Sequence, residues 1–165
     1  MTRAELARKS GLLLDTNLLV LLVIGQYDPK RINGHKRLQS YTSEDYYLLL
    51  GFMSLFRTFA TTPNILTEVS NLLEGDSYQY GPVLAIVPQL LAGFGFVELH
   101  EPSIPIMSKR NKEFLKFGLS DVVSCSALEQ NYLFLTDDLR LCYYLENNGL
   151  SARNFNHIRS STLIH

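Results

Sequence analysis

Two short apolar runs in this chain lead straight into acids. LLL at 12–14 is followed by Asp15, and YLFL at 132–135 is followed by Thr136-Asp137-Asp138. Neither run alternates with polar residues, so each predicts a parallel strand buried on both faces, over 12–15 and 132–135. A third strand is expected over 96–99 and a last one over 154–158. Between them the apolar positions recur at helical spacing. One helix is expected after Asp15, capped by Thr16 or Asn17 and running to about Ile24. Others are expected over 43–59, from Pro63 through NILTEVSNLLEG, and over 80–93, 103–117, 121–129 and 139–147. Pro63 suits a first helical turn, Ser120 is the expected cap of the helix at 121, and Asn148-Gly149 stops the helix before it. The stretch 25–34 is turn-rich, and 61–63 reads as a strand end or a turn. Strands alternating with helices predict an α/β protein, with a mainly parallel sheet covered on both faces. Such sheets form their sites at the carboxyl ends of the strands, where Asp15 and Asp138 fall.

Four acids therefore stand out: Asp15, Glu68, Asp121 and Asp138. Each lies beside or within an apolar stretch, where an unpartnered charge is costly. Two like charges about 4 Å apart repel by roughly 4 kcal/mol at an effective dielectric near 20, so four in one pocket call for a cation. An all-oxygen set suits Mg²⁺ or Mn²⁺ better than Zn²⁺. Phosphodiester hydrolysis is the reaction class that follows. Each acid also has an ordinary reading. Asp15 fits a helix cap, Glu68 an exposed helix position, Asp121 and Asp138 first-turn acids, and Asp137 a cap.

These residues resemble the PIN domain family. Its pattern has a first strand ending in Asp-x-Asn, here Asp15-Thr16-Asn17. A helix then presents a Glu, here Glu68, and a third acid stands near a helix start, here Asp121. The fourth belongs to a Thr-x-Asp after a strand, here Thr136-Asp137-Asp138. The resemblance spans about residues 11–158. It implies a three-layer α/β/α sandwich and a Mg²⁺- or Mn²⁺-dependent endoribonuclease, and many small members resemble the toxins of VapBC-type toxin–antitoxin pairs. Carried over, Asp15, Glu68, Asp121 and Asp138 would be metal ligands and catalytic groups, with Asp137 joining them or facing solvent. Asn17 and Thr136 would orient them. The chain departs from the compact toxins in its inserted or extended helical segment around 26–61. RNA and a cognate antitoxin are the implied partners. The alternative is a PIN-like module that binds RNA or protein without cleaving. A metal-dependent phosphatase or DNA nuclease is a further enzymatic option.

Composition adjusts this picture little. The 165 residues, 46% of them apolar, are enough for one domain with its own core. A net charge of −1 leaves RNA contact to local basic patches. Two are expected: Lys30, Arg31, Lys36 and Arg37, and Lys109, Arg110 and Lys112 with Lys116. The helix around 46–59 is apolar on more than one side and reads as a core helix or as an interface for a second copy or an antitoxin. Tyr78, Tyr80, Tyr143 and Tyr144 stack on bases or pack in the core. Cys125 and Cys142 read as buried free thiols, which fits a cytoplasmic protein, and no segment reads as a membrane span.

Overall fold

The computed structural model describes residues 3–74 and 77–162. Five strands, β1 (Leu12–Leu14), β2 (Phe59–Thr61), β3 (Phe96–Glu98), β4 (Leu133–Thr136) and β5 (Ala152–Asn154), form one all-parallel sheet in the order β3-β2-β1-β4-β5. The two runs that ended in acids are its centre. Leu12, Leu13 and Leu14 pair with Leu133, Phe134 and Leu135, and all six are buried. From β1 the sheet grows outward to β3, and the chain then crosses back to lay β4 on the other side of β1. The direction of winding thus reverses between β1 and β4.

Right-handed crossovers put the helices of the two directions on opposite faces, which gives a three-layer α/β/α sandwich. On one side α2 (Thr16–Tyr27), α3 (Ser43–Met53), α4 (Pro63–Glu74) and α5 (Ser77–Phe94) form a contact group. On the other, α6 (Ser103–Lys109), α7 (Asn111–Phe117) and α8 (Leu119–Leu128) pack together. There α9 (Leu139–Asn147) lies against β4 and β5, whereas α10 (Phe155–Thr162) contacts β5 and reaches the α3 segment through Arg159. A short α1 (Arg3–Leu6), which the sequence did not announce, precedes β1.

The helix α2 explains the segment around 26–61. Every residue from Leu18 to Gly25 is buried, so α2 has no solvent face and needs cover beyond the sheet. A 3-10 turn at Pro29–Gly34 and α3 supply it. A Cβ built on Gly25 would lie 2.3 Å from the Tyr46 ring, so glycine is what lets α3 approach. Tyr46 also donates to Gln26 Oε1 at 2.9 Å. Burying an aromatic of this size contributes about 2 kcal/mol. Tyr46, Leu49 and Met53 are buried in this contact, so the core reading of the helix at 46–59 holds for that face, while Tyr47 stays exposed.

Several expected boundaries move. The helix from 43 stops at Met53 instead of 59, because Phe59–Thr61 is needed as β2 between β1 and β3. The helix over 103–117 is two helices, broken at Arg110 (φ −116°, ψ 42°), whose guanidinium bridges Glu129 and Glu113. The last strand lies earlier, at Ala152–Asn154, and 155–158 begins α10, with the Asn154 side chain accepting from the Asn156 N–H. The turn-rich stretch keeps α2 intact to Tyr27 before Asp28 starts the 3-10 turn. The expected helix over 80–93 runs as Ser77–Phe94, and the side chains of Tyr78 and Tyr80 lie outside the described residues. Among the described residues, no helix is long and apolar enough to cross a membrane.

Candidate active site

The reversal of winding opens a crevice beyond the carboxyl ends of β1 and β4, the place where open α/β sheets bind ligands. Asp15 follows β1 there, and Asp137 and Asp138 follow β4. One cleft of about 520 Å³ at this point is lined by Asp15, Glu68, Asp121, Asp137 and Asp138, together with Thr16, Asn17 and Thr136. All five sequence-derived acids and both expected orienting residues thus share one cavity.

Asp15 is the N-cap of α2, its ordinary reading, in place of Thr16 or Asn17. The reason is local geometry: an extended residue at a strand's end puts its carboxylate back over the helix N–H groups. Its Oδ1 accepts from Leu18 N–H at 2.9 Å, and its Oδ2 accepts from Asp137 N–H at 2.9 Å. Asp15 therefore ties β1 to β4 across the switch point. Burial and then the nearby Asp137 charge push its carboxyl well above the usual range, against hydrogen bonds that favour the charged form.

Asp137 is drawn inward. Its carboxylate accepts from Asn17 Nδ2 at 3.2 Å on both oxygens, and from the Tyr41 hydroxyl at 2.7 Å on Oδ2. Asn17 thus orients Asp137, the acid expected either to join the site or to face solvent. Asp138 sits at the rim, exposed, with Oδ1 capping α9 through Arg140 and Leu141 N–H at 2.7 and 3.0 Å. Thr136, buried at the end of β4, accepts from Asp138 N–H at 3.0 Å and lowers the Asp15 carboxyl by its own hydrogen bond. The strand-end pair buried most deeply is therefore Asp15 with Asp137.

The opposite wall comes from α4 and α8, which touch across the cleft. Glu68, exposed on α4, accepts from the Thr16 hydroxyl at 2.6 Å. Asp121 is in the first turn of α8. Its carboxyl is pushed up to about 7 by burial, then by the charges of Glu68, Asp138 and Asp137. Gly118, not Ser120, stands at the start of α8; Ser120 is inside the helix and buried. Gly118 has φ 91° and ψ 179°, a combination essentially reserved for glycine, and this turn swings Asp121 toward the cleft.

Of the expected RNA-contact residues, only Arg37 lines the cleft. Lys30 and Lys36 are exposed on the neighbouring segment, and Arg31 stacks on the Tyr27 ring. Lys109 and Lys112 are exposed on α6 and α7, away from the lining. Arg110 is engaged by Glu129 and Glu113, which removes it as a free phosphate contact. Lys116 lies over the rings of Phe117 and Tyr144, and the Tyr144 hydroxyl donates to Glu113. The residues missed from the sequence are Tyr41 and Asn156, which hold Asp137 by its carboxylate and its carbonyl oxygen.

The donor set is all oxygen, and its acids raise one another's affinity for protons, which a hard divalent cation would offset. Among the described residues, no three His, Cys, Asp or Glu side chains already stand as a finished metal cage. A cation would have to draw the exposed carboxylates of Glu68 and Asp138 inward, toward the fixed pair. The residues present fit such an ion in chemistry. No family model matches the sequence, and no curated protein matches it significantly.

Proposed function

We propose that this protein is a PIN-like, Mg²⁺- or Mn²⁺-dependent endoribonuclease. The observation that carries this reading is the convergence of Asp15, Glu68, Asp121, Asp137 and Asp138 on one cleft at the winding reversal, with Arg37 beside them. Asp15, Glu68, Asp121 and Asp138 would hold the ion, with Asp137 as a further carboxylate. When bound, the ion supplies an activated water and offsets charge on the phosphate. The protein's own residues do the rest. Asn17 and Thr136 keep the strand-end acids in place. Asp121, poised near neutrality, takes up or gives back a proton as the cleft fills and empties. Arg37 offers the substrate's phosphates a cation at the rim of an otherwise repulsive pocket.

The same proposal includes RNA as substrate and an antitoxin or a second copy as protein partner. It puts the protein in the cytoplasm, where the free and buried Cys125 and Cys142 stay reduced. A second reading, a module that binds RNA without cutting it, draws on the exposed positions of Glu68 and Asp138.

The test uses Asp121→Asn, which keeps shape and removes one charge. Wild type is expected to cleave single-stranded RNA with Mn²⁺, and the variant to lose roughly a hundredfold or more, beyond what removal of an outer-sphere partner gives. Equal cleavage by both proteins refutes the nuclease reading. RNA binding without Mn²⁺ uptake or cleavage selects the second one.

A further inference from the structure

We infer that Tyr41, contributed by the inserted segment, is a positioning residue that aims the Asp137 carboxylate into the cleft. This rests on the nuclease reading and deepens it. The juxtaposition is between a residue 26 positions after Asp15 and one 122 positions after it. Tyr41 is 2% exposed, and its hydroxyl reaches Asp137 Oδ2 at 2.7 Å. Asn17 holds the same carboxylate from the α2 side. A carboxylate only accepts hydrogen bonds, so two donors on fixed elements lock its rotamer on the wall of the cleft it shares with the other acids. A group held in this way meets a cation without losing further freedom.

Tyr41 is itself braced. The Arg159 guanidinium of α10 lies 5.0 Å from the centre of the Tyr41 ring. Arg159 grips Asp45 with two bonds of 2.7 and 3.0 Å, and the Ser40 carbonyl oxygen, next to Tyr41, at 2.7 Å. A third arm donates to Asn156 Oδ1 at 3.0 Å, while Asn156 Nδ2 donates to the Asp137 carbonyl oxygen at 3.1 Å. Asp45 also accepts from Thr42 N–H at 2.9 Å, closing the start of α3. The network therefore links α3, the residues before it and α10 to the single acid Asp137. A segment that only covered α2 would not need a buried hydroxyl aimed at the acidic cleft.

The test is a cycle of wild type, Tyr41→Phe, Asp137→Asn and the double variant. Each is read by Mn²⁺ titration calorimetry, by kcat and KM on single-stranded RNA, and by thermal unfolding. Tyr41→Phe is expected to weaken Mn²⁺ binding roughly tenfold and to lower kcat by a similar factor. KM and the unfolding temperature are expected to change little. In the Asp137→Asn background, Tyr41→Phe is expected to add nothing, because it acts through that carboxylate. Wild-type behaviour of Tyr41→Phe, or the same loss in both backgrounds, overturns the inference and leaves the nuclease reading intact. If wild type binds Mn²⁺ but cuts no RNA, the nuclease reading fails, and calorimetry alone then decides for or against Tyr41. A wild type that binds no Mn²⁺ overturns both. Arg159→Lys covers the case of a poorly folded Tyr41→Phe. Weaker Mn²⁺ binding at an unchanged unfolding temperature supports the inference, and unchanged binding overturns it.

Discussion

The two walls of the acidic cleft hold their charges in different ways. On the β1–β4 wall, both oxygens of Asp15 and both of Asp137 accept hydrogen bonds from fixed donors, and two of those donors are backbone N–H groups. On the α4–α8 wall, Glu68 is met by one hydroxyl, and among the described residues no hydrogen bond reaches the Asp121 carboxylate. Asp121 responds instead to its burial and its acidic neighbours. One wall uses carboxylates as structural acceptors. The other keeps them as charges without a structural use, and a site that binds a cation needs both: a frame that stays put and donors free to close on the ion.

The largest expected consequence is that removing a charge acts in opposite directions on the two walls. Asp15→Asn places an amide where two N–H groups converge. Its oxygen serves one of them, and its NH₂ then faces the other, donor against donor. That is expected to destabilise the fold by about 2 kcal/mol, less the relief of removing a buried charge. Asp121→Asn breaks no hydrogen bond and removes repulsion, so at pH 8 it is expected to stabilise the metal-free protein by up to about 4 kcal/mol. Thermal unfolding in a chelator checks both, as a fall and a rise of several degrees. Shifts of the same sign in the two variants would erase the distinction between the walls.

The same contrast sharpens with pH. The Asp121 carboxyl lies at about 7 in the folded protein, against about 3.9 in an unfolded chain. A raised carboxyl contributes stability that is fully present below the unfolded value and is lost as pH rises through the folded one. Relative to Asp121→Asn, wild type is therefore expected to lose stability between about pH 4 and pH 7. Below about pH 4, where Asp121 is protonated in both the folded and the unfolded chain, the two should unfold together. Taking the difference between the proteins removes the opposing contribution of His35, whose imidazole burial holds below its ordinary value. Mn²⁺ affinity runs the other way, rising toward pH 8 as the ion displaces a proton. A difference curve flat from about pH 4 to 7 would show that the Asp121 carboxyl is not raised in the folded protein.

How far the sequence carried this picture also divides along the walls. β1 and β4 were legible because a strand buried on both faces is an unbroken apolar run, and an acid ending such a run is hard to overlook. β2 was not, because three residues of Phe59–Thr61 show no period and the apolar helix before them masks the boundary. Asp138 stood out by its motif spacing, yet Asp137 is the acid that faces inward. Both line the cleft, and only the folded chain shows that Asp138 turns to cap α9 while Asp137 meets Asn17 and Tyr41. Asn17, expected to orient the other acids, hydrogen-bonds Asp137 instead. Tyr41 had no signal: a hydrogen bond across 96 residues exists only once the chain is folded. The engagement of Arg110 was hidden for a related reason, since its Glu129 partner lies 19 residues away on another element.

The smallest effect tests that last point, by comparing two arginines the sequence could not tell apart. Arg37 is exposed and lines the cleft, whereas Arg110 is held by Glu129 and Glu113. Phosphate contact through Arg37 releases a counterion, so Arg37→Ala is expected to lower the salt slope of single-stranded RNA binding by about 0.7. Its KM should rise a few-fold at low salt and converge on wild type at high salt. Arg110→Ala should leave the salt slope alone and cost at most about 1 kcal/mol of stability, the range of a partly exposed ion pair. Both readouts are needed, because a loosened α6–α7 junction could raise KM without changing the slope. If Arg110→Ala lowers the slope as much as Arg37→Ala, the substrate path extends over α6 and α7, and the binding surface is wider than the cleft itself.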